Sequence, residues 1–445
     1  MASTISGINA PLLVAAAVAA GQLSSSSGAG AEESTSRREV DVSPIEEDGV
    51  ENPGAAALDA VTLVPRWLIG ALAGSAVATA RFVHDGQLVP RYEAQLAPSR
   101  DVRVLAFPTI FASTERTASA GGRMIVASPL ANLSAQFGVG GVGDWELQTR
   151  ARFALRRAEV PVVLGISATA RNATRLDYLG LGQRPERDDR NEFVGAPPPE
   201  PAQYDEQRRR AVVSLGTRVL DHFQILVTTS ADGRDIRRST IDDVFVTGSV
   251  AQRGSDDWQA YHEMNVRLDT RPFLAPPVQG WIAEGFVGVA HPIRSETTPY
   301  VRTGGLVSPM IPIVHPNNIL APRLVVEQTV PLGASPLSFT EFSRPFAYRG
   351  RDERRDRSTW TLGVDYTWPL TSFMSGRLFV DAAAVAPALD QAFDQPPSVA
   401  AGLGLDVYRR GFGIGQLFVG WSTDGPVASL RLGDPSPWGD RQRRE

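Results

Sequence analysis

The sequence predicts an all-β fold, namely a 16-stranded antiparallel transmembrane β-barrel that follows a short, mostly disordered N-terminal region. Three observations lead to this fold class. Short stretches alternate between large apolar and small polar residues. The count of these stretches is even, as bacterial membrane barrels require. The longest connections all follow odd-numbered stretches. A soluble sandwich would show the first feature, but it has no reason to show the last.

The clearest alternating stretch runs from Trp360 to Trp368 and reads WTLGVDYTW. Every second side chain is large, whereas the positions between are small or polar and include Asp365. Successive side chains of a strand point to opposite faces. In a membrane barrel the apolar face meets lipid and the polar face meets the lumen. A soluble all-β binding protein would instead have to bury this tryptophan-rich face between two sheets.

We predict sixteen strands from residue 101 onward. They cover residues 104–112, 118–128, 131–141, 144–155, 159–171, 208–219, 221–231, 257–271, 278–290, 298–313, 319–331, 357–368, 372–384, 398–409, 413–423 and 426–433. The four longest connections follow strands five, seven, eleven and thirteen and cover residues 172–207, 232–256, 332–356 and 385–397. Alternating strands therefore place the long loops on one rim and tight turns on the other, as in outer-membrane barrels.

Residues 1–20 are predicted to be a signal peptide. A short apolar run, residues 11–20, contains Ala17-Val18-Ala19, which has the A-x-A pattern of a cleavage site. No Lys or Arg precedes the run, which departs from the charged start of most signal peptides. The run is also shorter than the ~20 residues that a membrane-spanning helix needs.

The next 80 residues divide into two parts. Residues 21–60 are rich in Ser, Gly and Glu and are predicted to form a disordered linker. Residues 61–100 are predicted to form a short periplasmic segment with a helix at the inner rim, and a spanning helix is the less favoured alternative. The predicted domains that follow are the outer-membrane β-barrel, residues 101–433, and a polar tail, residues 434–445.

Composition excludes several classes of function. The net charge of −5 argues against nucleic acid as a partner. The absence of cysteine excludes disulfides, thiolate metal sites and cysteine nucleophiles. The five histidines show no metal-binding spacing, and the sequence has no G-x-S-x-G nucleophile motif. We therefore expect no enzyme activity, no metal and no cofactor.

Two short motifs lie at matching places in the predicted barrel. Tyr348-Arg349-Gly350-Arg351 falls in the connection between strands eleven and twelve, and Phe379-Val380-Asp381 falls on strand thirteen. A Tyr-Leu-Gly-Leu-Gly element occupies residues 178–182. On these motifs, residues 101–433 resemble the BamA/TamA-type barrels of the bacterial surface antigen superfamily, which assemble or translocate proteins at the outer membrane.

The resemblance implies a site. In that family the Arg-Gly loop folds into the lumen and the arginine meets the acid of the Phe-x-Asp motif, so Arg349 and Gly350 would pair with Phe379 and Asp381. Asp365 would be a second acceptor. The resemblance also implies a bacterial outer-membrane location, with membrane lipid, lipopolysaccharide and outer-membrane protein substrates as partners. Without the family, Arg349 would more simply belong to an exposed, solvated cluster of arginines at positions 351, 354, 355 and 357.

Three features depart from the family pattern. Arg351 stands where the family has an aromatic residue. A polar tail follows Leu432-Gly433, where such barrels usually end on an aromatic residue. The roughly 80 residues between the predicted signal peptide and the barrel leave no room for a full array of POTRA domains. The alternative function is therefore a passive channel or a structural outer-membrane barrel that lacks substrate handling.

Overall fold

Sixteen antiparallel strands close into a single barrel, as the sequence predicts. In the computed structural model each strand pairs with its neighbours in sequence, and β1 pairs with β16 to close the sheet. The strands are β1 Arg103–Ser113, β2 Arg116–Ala127, β3 Ala131–Val139, β4 Trp145–Leu155, β5 Val162–Tyr178, β6 Ala202–Leu220, β7 Phe223–Arg237, β8 Asp257–Asp269, β9 Gly280–Arg294, β10 Tyr300–Ile313, β11 His315–Pro331, β12 Ser358–Thr371, β13 Met374–Ala386, β14 Ser398–Arg409, β15 Phe412–Ser422 and β16 Gly425–Leu432.

The structure describes residues 102–432. Within that range it leaves out residues 114–115, 129, 142, 156–161, 196, 198–200, 221, 238–239, 247–256, 272–277, 295–297, 334–336, 351–352, 372 and 410–411. Several predictions lie outside the described residues: the signal peptide, the linker, the helix within 61–100, the polar tail and Arg351.

The four longest loops lie on one rim, as predicted from their odd-numbered positions. They cover residues 179–201, 238–256, 332–357 and 387–397 and follow β5, β7, β11 and β13. Two of them contain short helices, α1 at Ile241–Val244 and α2 at Leu389–Asp394. The other two contain single 3-10 turns, Pro185–Arg187 and Phe339–Glu341. On the opposite rim the longest connection covers residues 270–279.

No helix in the described part of the chain is both long enough and apolar enough to cross a membrane.

The two faces of the sheet differ as a membrane barrel requires. On β12, Leu362 and Val364 are 48% and 38% exposed, whereas the next residue, Asp365, is only 7% exposed. Apolar side chains are also exposed on the outer face of other strands, as at Val213 and Val419. A belt of exposed apolar groups around a closed sheet is the surface that lipid covers.

The large side chains of β12 are not all free to meet lipid. Trp360 is buried because α2 covers it: the indole Nε1 donates a hydrogen bond to the Ala392 carbonyl at 2.7 Å, and the ring stacks on Phe393 with centroids 5.7 Å apart. Tyr366 and Trp368 stack on each other and are also buried. The alternation predicts the faces correctly, but it does not show which outward side chains the chain itself covers.

Strands β5, β6 and β7 are longer than predicted. The sequence places β5 at 159–171 and β6 at 208–219, whereas the structure extends β5 to Tyr178 and begins β6 at Ala202. The added segments are mostly polar, because they rise above the apolar belt and have no lipid to face. An apolar pattern cannot reveal strands of this kind.

The seam that closes the barrel is described over four residue pairs. Among the described residues, β1 and β16 pair only from Ile110 with Leu432 to Ser113 with Ser429. On its other side β1 pairs with β2 from Arg103 onward. The part of β1 before Ile110 therefore has no described partner across the seam.

The exposed apolar belt leads to a test of membrane burial. Val380, at the middle of β13, and Val194, in the loop 179–201, are 53% and 59% exposed. We expect Val380→Arg to destabilise the barrel in lipid vesicles by about 2–4 kcal/mol, because it places a charge near the bilayer midplane. The matched Val194→Arg should change stability by less than about 0.5 kcal/mol. Urea unfolding in vesicles measures both, and equal effects would contradict a membrane position for β13.

Candidate functional site

The Arg-Gly motif lies on a tight turn of the loop 332–357. Ala347 adopts φ +65°, a left-handed conformation that is strained for a residue with a side chain. Its carbonyl accepts a hydrogen bond from Arg323 Nη2 of β11 at 2.8 Å. A Cβ atom on Gly350 would collide with the Tyr348 ring, so this position needs glycine. The turn therefore fixes the direction in which Arg349 leaves the loop.

Arg349 contacts Asp381 through two parallel hydrogen bonds. Arg349 Nε lies 2.7 Å from Asp381 Oδ2, and Nη2 lies 2.8 Å from Oδ1. The Arg349 backbone N–H also donates to Oδ2, at 3.1 Å. Asp381 is fully buried on the same face of β13 as Phe379. A bidentate arginine–carboxylate pair with a third donor sets both the position and the orientation of the turn.

Two further arginines and two further carboxylates complete this contact. Asp365 Oδ1 lies 2.5 Å from Arg349 Nη1, and its Oδ2 lies 2.7 Å from Arg323 Nη1. Arg323 Nη2 also contacts Asp381 Oδ1 at 2.5 Å. Arg377 Nε donates to Asp406 Oδ2 at 2.8 Å and lies near Asp365. We name these six residues the arginine–aspartate cluster: Arg323, Arg349, Arg377, Asp365, Asp381 and Asp406.

The arginine–aspartate cluster balances three positive charges against three negative ones. Balance matters because each charge loses most of its hydration when it is buried, at a cost of several kcal/mol. Phe379 adds an apolar contact, since its ring centroid lies 4.0 Å from Arg349 Cζ. Phe418 packs edge-on against Phe379, with centroids 5.6 Å apart. The arginine is thus held by two carboxylates and one ring.

The loop 332–357 makes a second set of polar contacts through Glu341. This carboxylate accepts a hydrogen bond from the Tyr300 hydroxyl, and its Oε1 lies 3.2 Å from Arg234 Nη1. Arg302 Nη2 donates to the Glu341 backbone carbonyl. Burial opposes ionisation of Glu341, but Arg234 and Arg302 outweigh it and hold the pKa of Glu341 below its usual range. The loop is therefore anchored to β7 and β10 as well as to β12 and β13.

The Tyr-Leu-Gly-Leu-Gly element packs directly against the loop 332–357. Gly180 has φ +108°, and a Cβ atom there would lie 2.8 Å from the Asn191 side chain. Asn191 brackets the element, accepting from the Leu181 N–H and donating to the Leu181 carbonyl, both at 2.8 Å. Leu181 forms an isolated parallel bridge with Arg355. The two loops therefore interlock through main-chain contacts.

An arginine between two acids ties the same pair of loops together. Arg190 donates to both oxygens of Asp356, at 2.9 and 2.6 Å, and to both oxygens of Asp188, at 2.8 and 2.6 Å. Asp356 is fully buried. Partial burial opposes ionisation of Asp188, but its hydrogen bonds from Arg190 hold its pKa below the usual range. Because these bonds are charge-assisted, they are stronger than ordinary hydrogen bonds.

Arg355 lies in an aromatic cage without a carboxylate. It is 1% exposed, and its Cζ lies 5.2 Å from the Tyr178 ring centroid and 5.5 Å from those of Tyr204 and Phe339. Its Nη2 donates to the Tyr204 hydroxyl at 2.9 Å. Burial, followed by repulsion from Arg344, lowers the pKa of Arg355. The rings compensate part of the lost hydration through cation–π contacts.

Apolar side chains close the barrel above these polar contacts. The cluster draws on the loops 179–201, 238–256 and 332–357 and on the outer ends of β5–β10. Its buried members are Tyr178, Leu181, Ala202, Tyr204, Ile236, Ile241, Phe245, Tyr261, Ala290, Tyr300, Leu337, Phe339 and Phe342. We name this group the aromatic cap. It joins three loops that are far apart in sequence into one packed unit.

The sequence left open a solvated position for Arg349 among the arginines that follow it, but of those that the structure describes, Arg355 is buried and Arg354 and Arg357 are half-buried. Arg349 and Arg355 are shielded as described above. Arg354 forms a bidentate contact with Asp424 in the β15–β16 turn, at 2.6 and 2.7 Å. The acidic residue Asp356 is equally buried. The charged run is therefore a set of separate anchors.

Sequence reasoning missed several members of these contacts. Arg323 lies on the inward face of β11, where alternation alone would place it, but it has no motif to single it out. Asp406 is similar on β14. Arg190 lies in a loop with many charged residues, so the sequence does not distinguish it from the others. Arg323 lies directly opposite Gly363, but only the register of the folded sheet shows this.

The described residues offer no group of three or more His, Asp or Glu side chains that could hold a metal ion. All the carboxylates of the arginine–aspartate cluster already contact arginines. The arrangement can hold a loop against a wall, and it can release that loop if the charges are separated.

Removal of Asp381 should release the turn. Asp381→Ala leaves Arg349 and Arg323 buried beside a missing carboxylate, and we expect it to lower the free energy of unfolding by about 3–5 kcal/mol. Asp390→Ala is the matched control, because Asp390 is an exposed aspartate on α2. Urea titration of the two variants in the same detergent measures the difference. Equal stability of both variants would show that the cluster does not hold the loop.

The contribution of Glu341 should depend on pH. Because its folded-state pKa is lowered, Glu341 stabilises the folded state at neutral pH, and this contribution begins to fall below the unfolded-state pKa of about 4.3. It disappears once the pH passes below the folded-state pKa. We therefore expect the difference in unfolding free energy between wild type and Glu341→Gln to be largest near pH 7 and to shrink on acidification. A difference that grows on acidification would reverse the assigned sign.

No protein-family model matches the sequence, and no curated protein matches it. Solved structures do match. BamA from Haemophilus ducreyi lacking POTRA domains 1–3 is 11% identical over 76% of this chain and 70% of that chain, with a TM-score of 0.52. CdiB from Acinetobacter baumannii is 9% identical over 75% of this chain and 60% of that chain, with a TM-score of 0.47. CdiB from Escherichia coli is 12% identical over 76% of this chain and 63% of that chain, with a TM-score of 0.49.

The chain thus spans less than two thirds of either CdiB structure. The similarity to the BamA structure extends over most of the described barrel and is a similarity of fold. It confirms the predicted fold: this chain forms a closed 16-stranded barrel that is similar in fold to the BamA barrel.

Proposed function

We propose that this protein is a bacterial outer-membrane barrel that inserts or translocates proteins at the outer membrane, and that its Arg349–Gly350 turn is folded into the lumen as a plug. The observation that carries the proposal is the bidentate contact between Arg349 and the buried Asp381. A loop that only covers the rim would not need a guanidinium bound to the wall on the polar face of β13.

The contacts of the loop 332–357 support a plug that crosses the interior. Its residues contact side chains on the polar face of β7, β10, β12 and β13, strands spread over about half of the barrel. Arg354 reaches further, to the β15–β16 turn. A segment held by so many strands obstructs passive diffusion through the barrel. Any distortion of the wall also moves this segment.

The seam between β1 and β16 would serve a role with protein substrates if it opened. Its described pairs run from Ile110 with Leu432 to Ser113 with Ser429. The strand edges that an open seam exposes are a template for adding a strand from another chain. Outer-membrane proteins in the course of folding would present such strands, and membrane lipid and lipopolysaccharide would surround the site.

The alternative is a passive channel or a structural barrel that lacks substrate handling. The same dense anchoring of the loop favours a structural barrel, because a fixed plug stabilises a scaffold whether or not a substrate ever arrives. The two functions differ in what happens when the plug is loosened.

Arg349 substitution separates these functions. We expect Arg349→Ala to reduce the assembly of other outer-membrane barrels in a strain that depends on this protein, and to raise the conductance of the purified barrel in planar bilayers. Arg349→Lys should show most of the loss, because lysine cannot make the bidentate contact. Arg187→Ala, an exposed arginine in the loop 179–201, is the control and should behave as wild type.

Assembly of other barrels and conductance, measured together, distinguish the possible functions. Raised conductance with normal assembly of other proteins would leave a structural barrel and overturn the insertion function. Unchanged conductance together with unchanged assembly would overturn the plug. Recovery of each variant in the outer-membrane fraction, with a heat-modifiable band on a detergent gel, shows that the barrel itself has formed.

A further inference from the structure

The outer face of β6–β9 carries two exposed arginines at the edge of the apolar belt. Arg209 on β6 and Arg294 on β9 are both exposed. They lie in one hydrogen-bonded row of the sheet, in which Arg209 pairs with Gly233, Gly233 with Trp258, and Trp258 with Arg294. We name these four residues the β6–β9 patch. Two arginines thus flank a tryptophan on the side of the sheet that faces away from the lumen.

The outward direction of Arg209 follows from the alternation of β6, and Arg294 stands opposite the outward Trp258 because the register of β8 and β9 shifts by one residue at that point. Arg208 on β6 is buried and binds the equally buried Asp232 through Arg208 Nε at 2.9 Å, so Arg209 points to the opposite face. Val213 lies an even number of residues from Arg209 and is 50% exposed within the apolar belt. Arg209 is therefore on the lipid side of β6 although its two neighbours in the Arg208–Arg210 run are not.

The height of the row matches the outer edge of the bilayer. A membrane-spanning strand needs about 9–11 residues. Arg209 lies about 11 residues from Leu220, where β6 meets the short-turn rim, and Trp258 lies about 11 residues from Asp269, at the same rim of β8. Tryptophan is enriched at this level in membrane barrels. The arginines therefore stand where the headgroups of the outer leaflet begin.

Neither arginine pairs with an acid in the part of the chain that the structure describes. Among the described residues, no carboxylate forms an ion pair with Arg209 or Arg294, and neither guanidinium has a hydrogen-bond acceptor. Asp235 lies on the same face of β7 but does not pair with Arg209. The inward-facing Arg208 and Arg234, by contrast, each contact an acid. Two unpaired cations at the membrane surface therefore remain available to an external anion.

The surface between the arginines is flat, and the row below them is apolar on β6, β7 and β8 and ends in the exposed His291 on β9. The Trp258 ring lies over Gly233, where a Cβ atom would come within 2.5 Å of the indole. One row nearer the membrane centre, Ala211, Ala231 and Ala260 pair across β6, β7 and β8. A tryptophan face beside cations and a shallow apolar surface beneath them suit a lipid that carries phosphate, sugar and acyl chains together.

We propose that the β6–β9 patch binds lipopolysaccharide of the outer leaflet, with Arg209 and Arg294 on its phosphate groups and its acyl chains against the alanine surface below. The separation of the arginines favours this lipid over a phospholipid. Three interstrand spacings of about 4.8 Å divide them, so one phosphate cannot reach both, whereas a headgroup with phosphates at two ends can. The inference rests on the outer-membrane location in the proposed function and not on protein insertion.

Binding of defined lipids to the purified full-length barrel tests the site. We would compare wild type with the double variant Arg209→Gln/Arg294→Gln, by native mass spectrometry in detergent, using lipopolysaccharide, lipopolysaccharide with its lipid phosphates removed, and phosphatidylglycerol. Each arginine near an anionic membrane surface contributes roughly a factor of five to binding. We therefore expect about a thirtyfold weaker affinity of the double variant for lipopolysaccharide.

The control is Arg218→Gln, an exposed arginine at the opposite end of β6. It should bind lipopolysaccharide as wild type does, and dephosphorylated lipopolysaccharide should bind wild type as weakly as intact lipopolysaccharide binds the double variant. An unchanged affinity of the double variant, or an equal loss in Arg218→Gln, would overturn the site. Phosphatidylglycerol binding of equal strength and equal sensitivity would overturn lipopolysaccharide as the occupant.

The outcome is independent of the assembly phenotype. Lipid binding is measured on purified protein, so failure of Arg349→Ala to affect assembly would remove the proposed function and leave the site standing. A heat-modifiable band for each variant confirms that the exposed substitutions leave the barrel folded.

Discussion

The structure depends on one buried carboxylate. Asp381 has no exposure to solvent, and it satisfies two guanidinium groups from different segments, Arg349 of the loop and Arg323 of β11. An isolated buried charge would cost several kcal/mol. Each partner therefore requires the other two. Because Arg323 also binds the Ala347 carbonyl, the same contact holds the strained turn that presents Arg349. A large movement of the loop would leave the buried Arg349 without either carboxylate, whereas Arg323 and Asp381, which both lie on strands, would keep their own contact.

The remaining contacts of the loop follow from this position. Once the turn is held at β12 and β13, the chain on either side must cross the barrel. It meets acids and arginines of the far wall on one side, and the loop 179–201 on the other. The long β5–β7 strands supply the height that the aromatic cap needs, since Tyr178 and Tyr204 stand beyond the apolar belt. Arg355 departs from the pattern of paired charges, because aromatic rings and a hydroxyl group surround it without a carboxylate.

The sequence predicted the repeating features of this fold, namely the strands and the placement of the long loops on one rim. Alternation and loop parity depend on the local contrast between lipid and lumen, so they identified sixteen strands and the rim of the long loops. The motif offset brought Arg349, Asp381 and Asp365 forward as partners; the three are in contact, and their role remains a prediction. The sequence could not predict Arg323 or Asp406, since nothing local selects one inward polar residue over another. Nor could it predict the upper parts of β5 and β6, which rise beyond the lipid and pack on their inner side against the aromatic cap.

The distribution of these contacts around the barrel constrains how the molecule can move. The described contacts of the loop 332–357 include β6, β7 and β10–β14, the loop 179–201 and the β15–β16 turn. Because the contact at Asp381 joins the loop to β11, β12 and β13 at once, these strands cannot separate from one another without breaking it. A rearrangement that preserves this contact must therefore take place in other parts of the wall.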